Sequence, residues 1–295
     1  MSIFRLPTAT AVAVVLAAAA SANAQPAKNY HIFPMTSFAS RNAHVQPPAS
    51  DMNYYGGSVF SSVKLVSVIW NKDVLQNTKD QIPLFSAAIV DSTYVDKMAE
   101  YKTKGVHAIN GHKSTNQTIH RGTYLGQVQL KPHNTSNQLS DADVQKEIKR
   151  QIADGVLPPR DPNTLYMIYF PSNISINLDG LISCQSYGAY HFSTNQAKIA
   201  KKSNVFYSVE PECNSGFGFL TFAASHEYAE ATTDNVPTPG SNPDFPQAWN
   251  DSAGYEIGDK CSGQGTLTSS GGSWEVTQYY LNSLHGCSTG NYTSP

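Results

Sequence analysis

The sequence predicts a mixed α/β fold of the α+β kind: a twisted mixed sheet with backing helices and a disulfide-stapled C-terminal part, about 184–295. Three observations predict it. Strand-like and helix-like patterns alternate along the chain. An Ala-rich, helix-forming stretch, ASHEYAEATTDN at 224–235, carries chemistry-bearing residues at helical spacing. All four cysteines lie beyond residue 183.

The elements follow in order. MSIFRLPTATAVAVVLAAAASANAQ has Arg5, an apolar run from Ala11 to Ala20 and a small-residue stop at Ala22-Asn23-Ala24. That is the pattern of a secretory signal peptide over 1–24 with cleavage after Ala24. The expected protein is exported: extracellular, or periplasmic in a Gram-negative host. No later stretch is apolar enough to span a bilayer. Residues 25–56 are polar and contain proline, and read as an irregular N-terminal arm. A single α/β domain is expected over 57–295.

Within it, Gly56-Gly57 marks a turn, and Lys64–Trp70, rich in β-branched residues, reads as a buried strand. The pattern over 80–103 predicts one helix with Pro83 in its first turn, where a missing N–H costs little. Residues 118–130 read as strand. Ser140-Asp-Ala-Asp143 has the form of a capping box, and Val144, Ile148 and Ile152 fall four apart on one helix face ending near Gly155. TLYMIYF (164–170) is a strongly apolar strand; ISINL, AYHFS and NVFYSVEP (204–211) are further strands. A helix is expected over 218–233, and GGSWEVTQYYLNS reads as a turn followed by a strand.

Cys184, Cys213, Cys261 and Cys287 form an even set in a chain read as exported, which implies two disulfides. Of three pairings, Cys184–Cys213 and Cys261–Cys287 are favoured because each closes a modest local loop. Each bridge would contribute about 3 kcal/mol by restricting the unfolded chain.

Charge is distributed unevenly. From residue 25 to 202 there are eighteen Lys/Arg against twelve Asp/Glu; from 203 onward, one lysine (Lys260) against ten acids. Between 203 and 259 there is no Lys or Arg at all. Carboxylates that meet in space repel one another, and a bound cation relieves them. The absence of a basic stripe argues against a nucleic-acid partner.

The acids surround a specific arrangement. Residues four apart on an α-helix differ by about 40° around the axis, so His226 and Glu230 point at one spot. This is the spacing of the His-Glu-x-x-His zinc helix, with Glu230 in place of the second histidine. A carboxylate oxygen binds zinc at about 2.0–2.2 Å, so the exchange is chemically sound. Glu227 would project beside the metal as general base. Asp234 is set aside, since a third helical position drifts by about 80° and climbs two turns. The third ligand is expected from GYEIGDKC (254–261), Glu256 ahead of Asp259, with His191 in GAYHFS third in order. Zn²⁺ is the expected ion because of the imidazole; a mostly oxygen ligand set also admits Ca²⁺ or Mn²⁺. Zincin metallopeptidases share this order of sheet, backing helix and metal-bearing helix.

YYGGSVFSSVKLVSVIW (54–70) resembles the opening of the EXORDIUM, or phosphate-induced, protein family. The resemblance continues at SYGAYH, ASHEYAEATTDN, GYEIGDKC and WEVTQYYLNSLHGC. It spans most of the chain after the signal segment as scattered motifs, in the manner of a microbial relative. Plant members are secreted apoplastic or cell-wall proteins linked to growth responses. The resemblance therefore implies export and accords with the disulfides, but supplies no reaction. Two functions follow as expectations. One is an exported zinc-dependent hydrolase acting on a peptide or cell-wall-associated substrate. The other is a non-catalytic secreted protein that binds a cell-wall or surface partner, with a structural metal or none.

Overall fold

A computed structural model of the chain describes residues 31–35, 50–194, 204–238 and 243–295. The expected signal segment and part of the expected arm lie outside the described residues. The fold is mixed α+β. Its strands are β1 (Ile32–Pro34), β2 (Asn53–Tyr54), β3 (Ser62–Ile69), β4 (His120–Gln129), β5 (Gln138–Ser140) and β6 (Thr164–Phe170). They continue with β7 (Ser175–Leu178), β8 (Leu181–Ile182), β9 (Tyr187–Ser193), β10 (Phe206–Pro211) and β11 (Trp249–Asn250). The last are β12 (Gln264–Ser269), β13 (Gly272–Thr277), β14 (Tyr280–Leu281), β15 (Gly286–Cys287) and β16 (Asn291–Thr293). The helices are α1 (Gln76–Val90), α2 (Thr93–Met98), α3 (Asp141–Ala153) and α4 (Phe217–Thr233).

A six-stranded sheet in the order β1-β9-β10-β6-β3-β4 organises the molecule. β4, β3, β6 and β10 run parallel, and β9 runs antiparallel to β10. A parallel strand covered on both faces is apolar throughout rather than alternating, and all seven residues of β6 are buried. The strand period of two then sorts side chains between two cores. Leu65, Leu165, Met167 and Tyr169 face α1, α2 and α4. Val66, Val68, Tyr166 and Ile168 face Val144 and Ile148 of α3. Each such apolar side chain contributes roughly 1.5–3 kcal/mol on leaving water.

The predicted helix over 80–103 is two helices. Ser92 takes an extended backbone, accepts a hydrogen bond from Tyr94 N at 3.2 Å and donates to Ile89 O at 2.8 Å. A short hydroxyl side chain that bonds its own backbone competes with helix continuation. The break is silent in the apolar pattern because Ile82, Phe85 and Ile89 before it, and Tyr94, Val95 and Met98 after it, enter the same core. α1 also begins earlier than predicted, so Pro83 lies inside it instead of in the first turn. Pro83 cannot donate to the carbonyl of Lys79; Gln127 Nε2 from β4 does so instead, at 3.1 Å.

The arm expected to be irregular contributes strands. β1 pairs antiparallel with β9 at the sheet edge, and β2 pairs with β11. α3 carries the predicted capping box: Asp143 N donates to Ser140 Oγ at 3.2 Å, and Ser140 N to Asp143 Oδ2 at 2.9 Å. Both favoured disulfides are present. Cys184–Cys213 ties the turn after β8 to the approach to α4, and Cys261–Cys287 ties the 254–261 loop to β15.

α4 occupies the centre, packed against β9, β10 and β13. Every residue from Phe219 to Thr233 is buried. A helix apolar on one stripe sits at a surface; one buried all round is a core helix. Its polar side chains must therefore find partners within the protein. Ser225 Oγ donates to Phe222 O and accepts from Thr277 N of β13, both at 2.8 Å. His226, Glu227, Tyr228 and Glu230 are the residues of α4 for which this accounting stays open.

Candidate metal centre

His226 and Glu230 lie one turn apart on α4, as their spacing requires. His226 Nε2 is 3.0 Å from Glu230 Oε1. At that distance a hydrogen bond is expected, yet neither ring nitrogen of His226 has a partner, nor does Glu230 Oε2. The atoms are close but aimed past each other. Two ligands of one tetrahedral zinc, each bonded at about 2.0–2.2 Å, stand about 3.3 Å apart and converge on a third point. The unpaired, buried donors of His226 and Glu230 fit that role.

The loop carrying GYEIGDKC closes over the pair. Gly258 makes this approach possible: a Cβ there would come within 2.7 Å of His226 Nδ1 and 2.8 Å of Glu230 Oε1. Asp259 N donates to Glu230 Oε1 at 3.1 Å, and Glu256 N to Asp259 Oδ2 at 3.1 Å. Asp259 Oδ1 stands 3.8 Å from His226 Nε2. The Asp259 side chain keeps 15 % of its surface exposed, the most open of the acids that reach the centre from α4 and this loop.

β9 supplies His191. Its Nδ1 is 3.0 Å from Glu227 Oε2, and its Nε2 is 3.1 Å from the carbonyl of Asp234. A carbonyl only accepts, so Nε2 carries the proton. Burial pushes the Glu227 carboxyl well up, with Glu230 and Asp259 adding to it against the opposing pull of His226. Burial also lowers His191, against the pull of Glu230 and Asp234. The consistent assignment without a cation is a neutral Glu227 that donates to Nδ1 of a neutral His191.

The remaining acids are in the same condition. Burial raises Glu230 and Asp234 to about 7 and Asp259 to about 8. Glu256 is raised well above its usual range by burial and by Glu230, Asp234, Asp259 and Glu227. Glu210 on β10 is raised by burial and by Glu227. Lys260, the nearest lysine in sequence, turns away to Asp251 Oδ2 at 2.9 Å.

The structure thus brings all the sequence-predicted residues into one cluster, with a different internal grouping. Asp259, ranked second, is the acid that approaches His226 from the loop. Glu256, ranked first, groups instead with His191 and Glu230, each offering an atom within 4.8 Å of the others. His191, ranked third, is central because β9 lies directly under α4. His226, Glu227 and Glu230 form a second such group. Asp234 caps α4 and accepts from Asn250 Nδ2 at 2.8 Å.

One participant was missed. His31, in the arm read as irregular, is buried, with Nδ1 3.0 Å from Glu256 Oε2 and Nε2 3.1 Å from Thr238 O. Burial, with His191 nearby, lowers it to about 4. β1 also lays Phe33 against His226, ring centroids 5.1 Å apart. Nothing in the segment NYHIFP signals this, since the contact depends on a strand pairing made with residues more than 150 positions away.

Comparison with known proteins finds no match for this chain among protein-family models, curated proteins or solved structures.

Proposed function

We propose that this chain is an exported hydrolase dependent on a divalent metal, zinc first, that cleaves a peptide-type bond. The observation that carries the reading is the close, unbonded approach of His226 Nε2 and Glu230 Oε1 at 3.0 Å, one helical turn apart and buried. His226, Glu230 and Asp259 would hold the ion. Zinc in such a set supplies Lewis acidity at neutral pH. Glu227 would be the general base once the ion favours its ionised form, with Oε1, which has no hydrogen-bond partner, turned to the reacting water.

A second reading has its own support. His226 is 2 % exposed and Glu227 is fully buried, which favours a closed metal centre in a secreted, EXORDIUM-like binding protein. The decisive experiment pairs elemental analysis with a peptide-library digest, for wild type, His226→Ala and Glu227→Gln. The hydrolase reading expects zinc in wild type and in Glu227→Gln, loss of zinc in His226→Ala, and cleavage by wild type alone. Zinc retained in wild type and lost in His226→Ala, with no cleavage of any library peptide, would establish the closed centre instead. Undiminished cleavage by Glu227→Gln would remove the assigned base.

A further inference from the structure

The cluster holds more acid than one ion can satisfy. Six carboxyl groups, Glu210, Glu227, Glu230, Asp234, Glu256 and Asp259, are buried or nearly so around three histidines. A single divalent cation offsets two negative charges, and the carboxyl groups it leaves uncovered must be held neutral by protons or by a second cation. Removing an ionised carboxylate from water without compensation is among the most costly events in a protein interior.

The geometry divides the cluster in two. His226, Glu227 and Glu230 form one triad of donors, and His191, Glu230 and Glu256 form another, with atoms in each lying within 4.8 Å of one another. Glu230 belongs to both. Its Oε1 faces His226 Nε2 at 3.0 Å, and its Oε2 faces His191 Nδ1 at 3.8 Å with no hydrogen-bond partner. Glu256 is fully buried and neither of its oxygens has a hydrogen-bond partner, although His191 Nε2 lies 3.7 Å from Oε1 and His31 Nδ1 3.0 Å from Oε2. A carboxylate whose two oxygens serve two donor sets is the usual bridge of a two-metal site, where ions stand about 3.5–4 Å apart.

We propose that the protein binds two divalent metal ions bridged by Glu230, the first on the His226 side and the second held by His191 and Glu256. The imidazole-plus-carboxylate set of the second site suits Zn²⁺ or Mn²⁺. The proposal rests on the metal reading of His226 and Glu230 and extends it. It also assigns a role to Glu256 that the His226 side does not require.

The test uses the exported chain, stripped with chelator and then loaded with zinc alone. Elemental analysis should find about two equivalents per chain in wild type, and about one in Glu256→Gln and in His191→Ala. Glu256→Gln preserves side-chain volume, so it should fold even if His191→Ala does not. Loading wild type with Mn²⁺ gives a readout that needs no variant: a bridged pair has an exchange-coupled electron paramagnetic resonance spectrum, and separated ions do not. Saturation at about one equivalent, unchanged in Glu256→Gln, would overturn the second site. If that single equivalent were still lost in His226→Ala, the hydrolase's metal would stand without the bridge. Two equivalents with an isolated-ion manganese spectrum would overturn the bridge itself. No bound zinc in wild type would remove both readings.

Discussion

Gly258 is the residue on which the centre closes. With hydrogen in place of a side chain, it lets the loop backbone meet His226 and Glu230 close enough for Asp259 N to reach Glu230 Oε1. Gly258→Ala should therefore push the loop from α4 without removing any donor. Outer contacts that orient ligands typically govern metal affinity by about 10–100-fold. A zinc competition assay on Gly258→Ala should find a loss in that range, and an unchanged affinity would show that the loop does not orient the site. The His226–Glu230 spacing was legible in the sequence because a helix repeats on itself. The glycine's purpose was not, since nothing in GYEIGDKC states which helix the loop would meet.

At the scale of the element, β1 is a short strand with a large task. It pairs with β9 and places Phe33 against His226, Phe219 and Phe222. Phe33 is 1 % exposed, and truncating such a residue in a packed core costs about 3–5 kcal/mol. Phe33→Ala should lower the urea midpoint accordingly and should also open the His226 ring to water. A midpoint equal to that of wild type would mean that β1 contributes no packing. The sequence disclosed α3 and β6 readily, through a capping box and an unbroken apolar run. It concealed the break at Ser92 and the pairing of β1. In both places a local hydrogen bond or a distant partner, rather than hydrophobic period, decides the backbone.

At the scale of the whole molecule, the central acids couple stability to pH and, on the proposed metal reading, to zinc. Glu230, Asp234 and Asp259 have ordinary values of 4.5, 3.8 and 3.8 and folded values of about 7, 7 and 8. Without metal, the folded state holds protons that the unfolded chain has released, so these groups lose stability as pH rises through that window. His31 and His191 act in the opposite sense. Lowered from 6.5, they favour unfolding below that pH, an effect that fades over about the next unit above it. Between pH 6.5 and about 8 the acids outweigh the fading histidine effect, and chelator-treated protein should lose thermal stability there. On the proposed metal reading, added zinc should reverse the trend, because a metal takes the deprotonated ligands and stabilises the state that holds it. A melting temperature of the metal-free protein that is flat or rising from pH 6.5 to 8 would mean that the cluster is not protonated as described.

The sequence by itself determined the mixed α+β class, the buried strands, the presence of two disulfides with a favoured pairing, and the helix that carries His226 and Glu230. Each of these rests on local periodicity, on residue spacing within one element, or on loops short enough to close. Only the tertiary structure decided that His191 lies beneath Glu227, that Glu256 faces His191 and His31, and that Glu230 looks both ways. Those contacts join β1, β9, α4 and the 254–261 loop, segments distant in sequence and brought together by the order of strands in one sheet. A carboxylate's role depends on what it faces after burial, and neither composition nor spacing contains that.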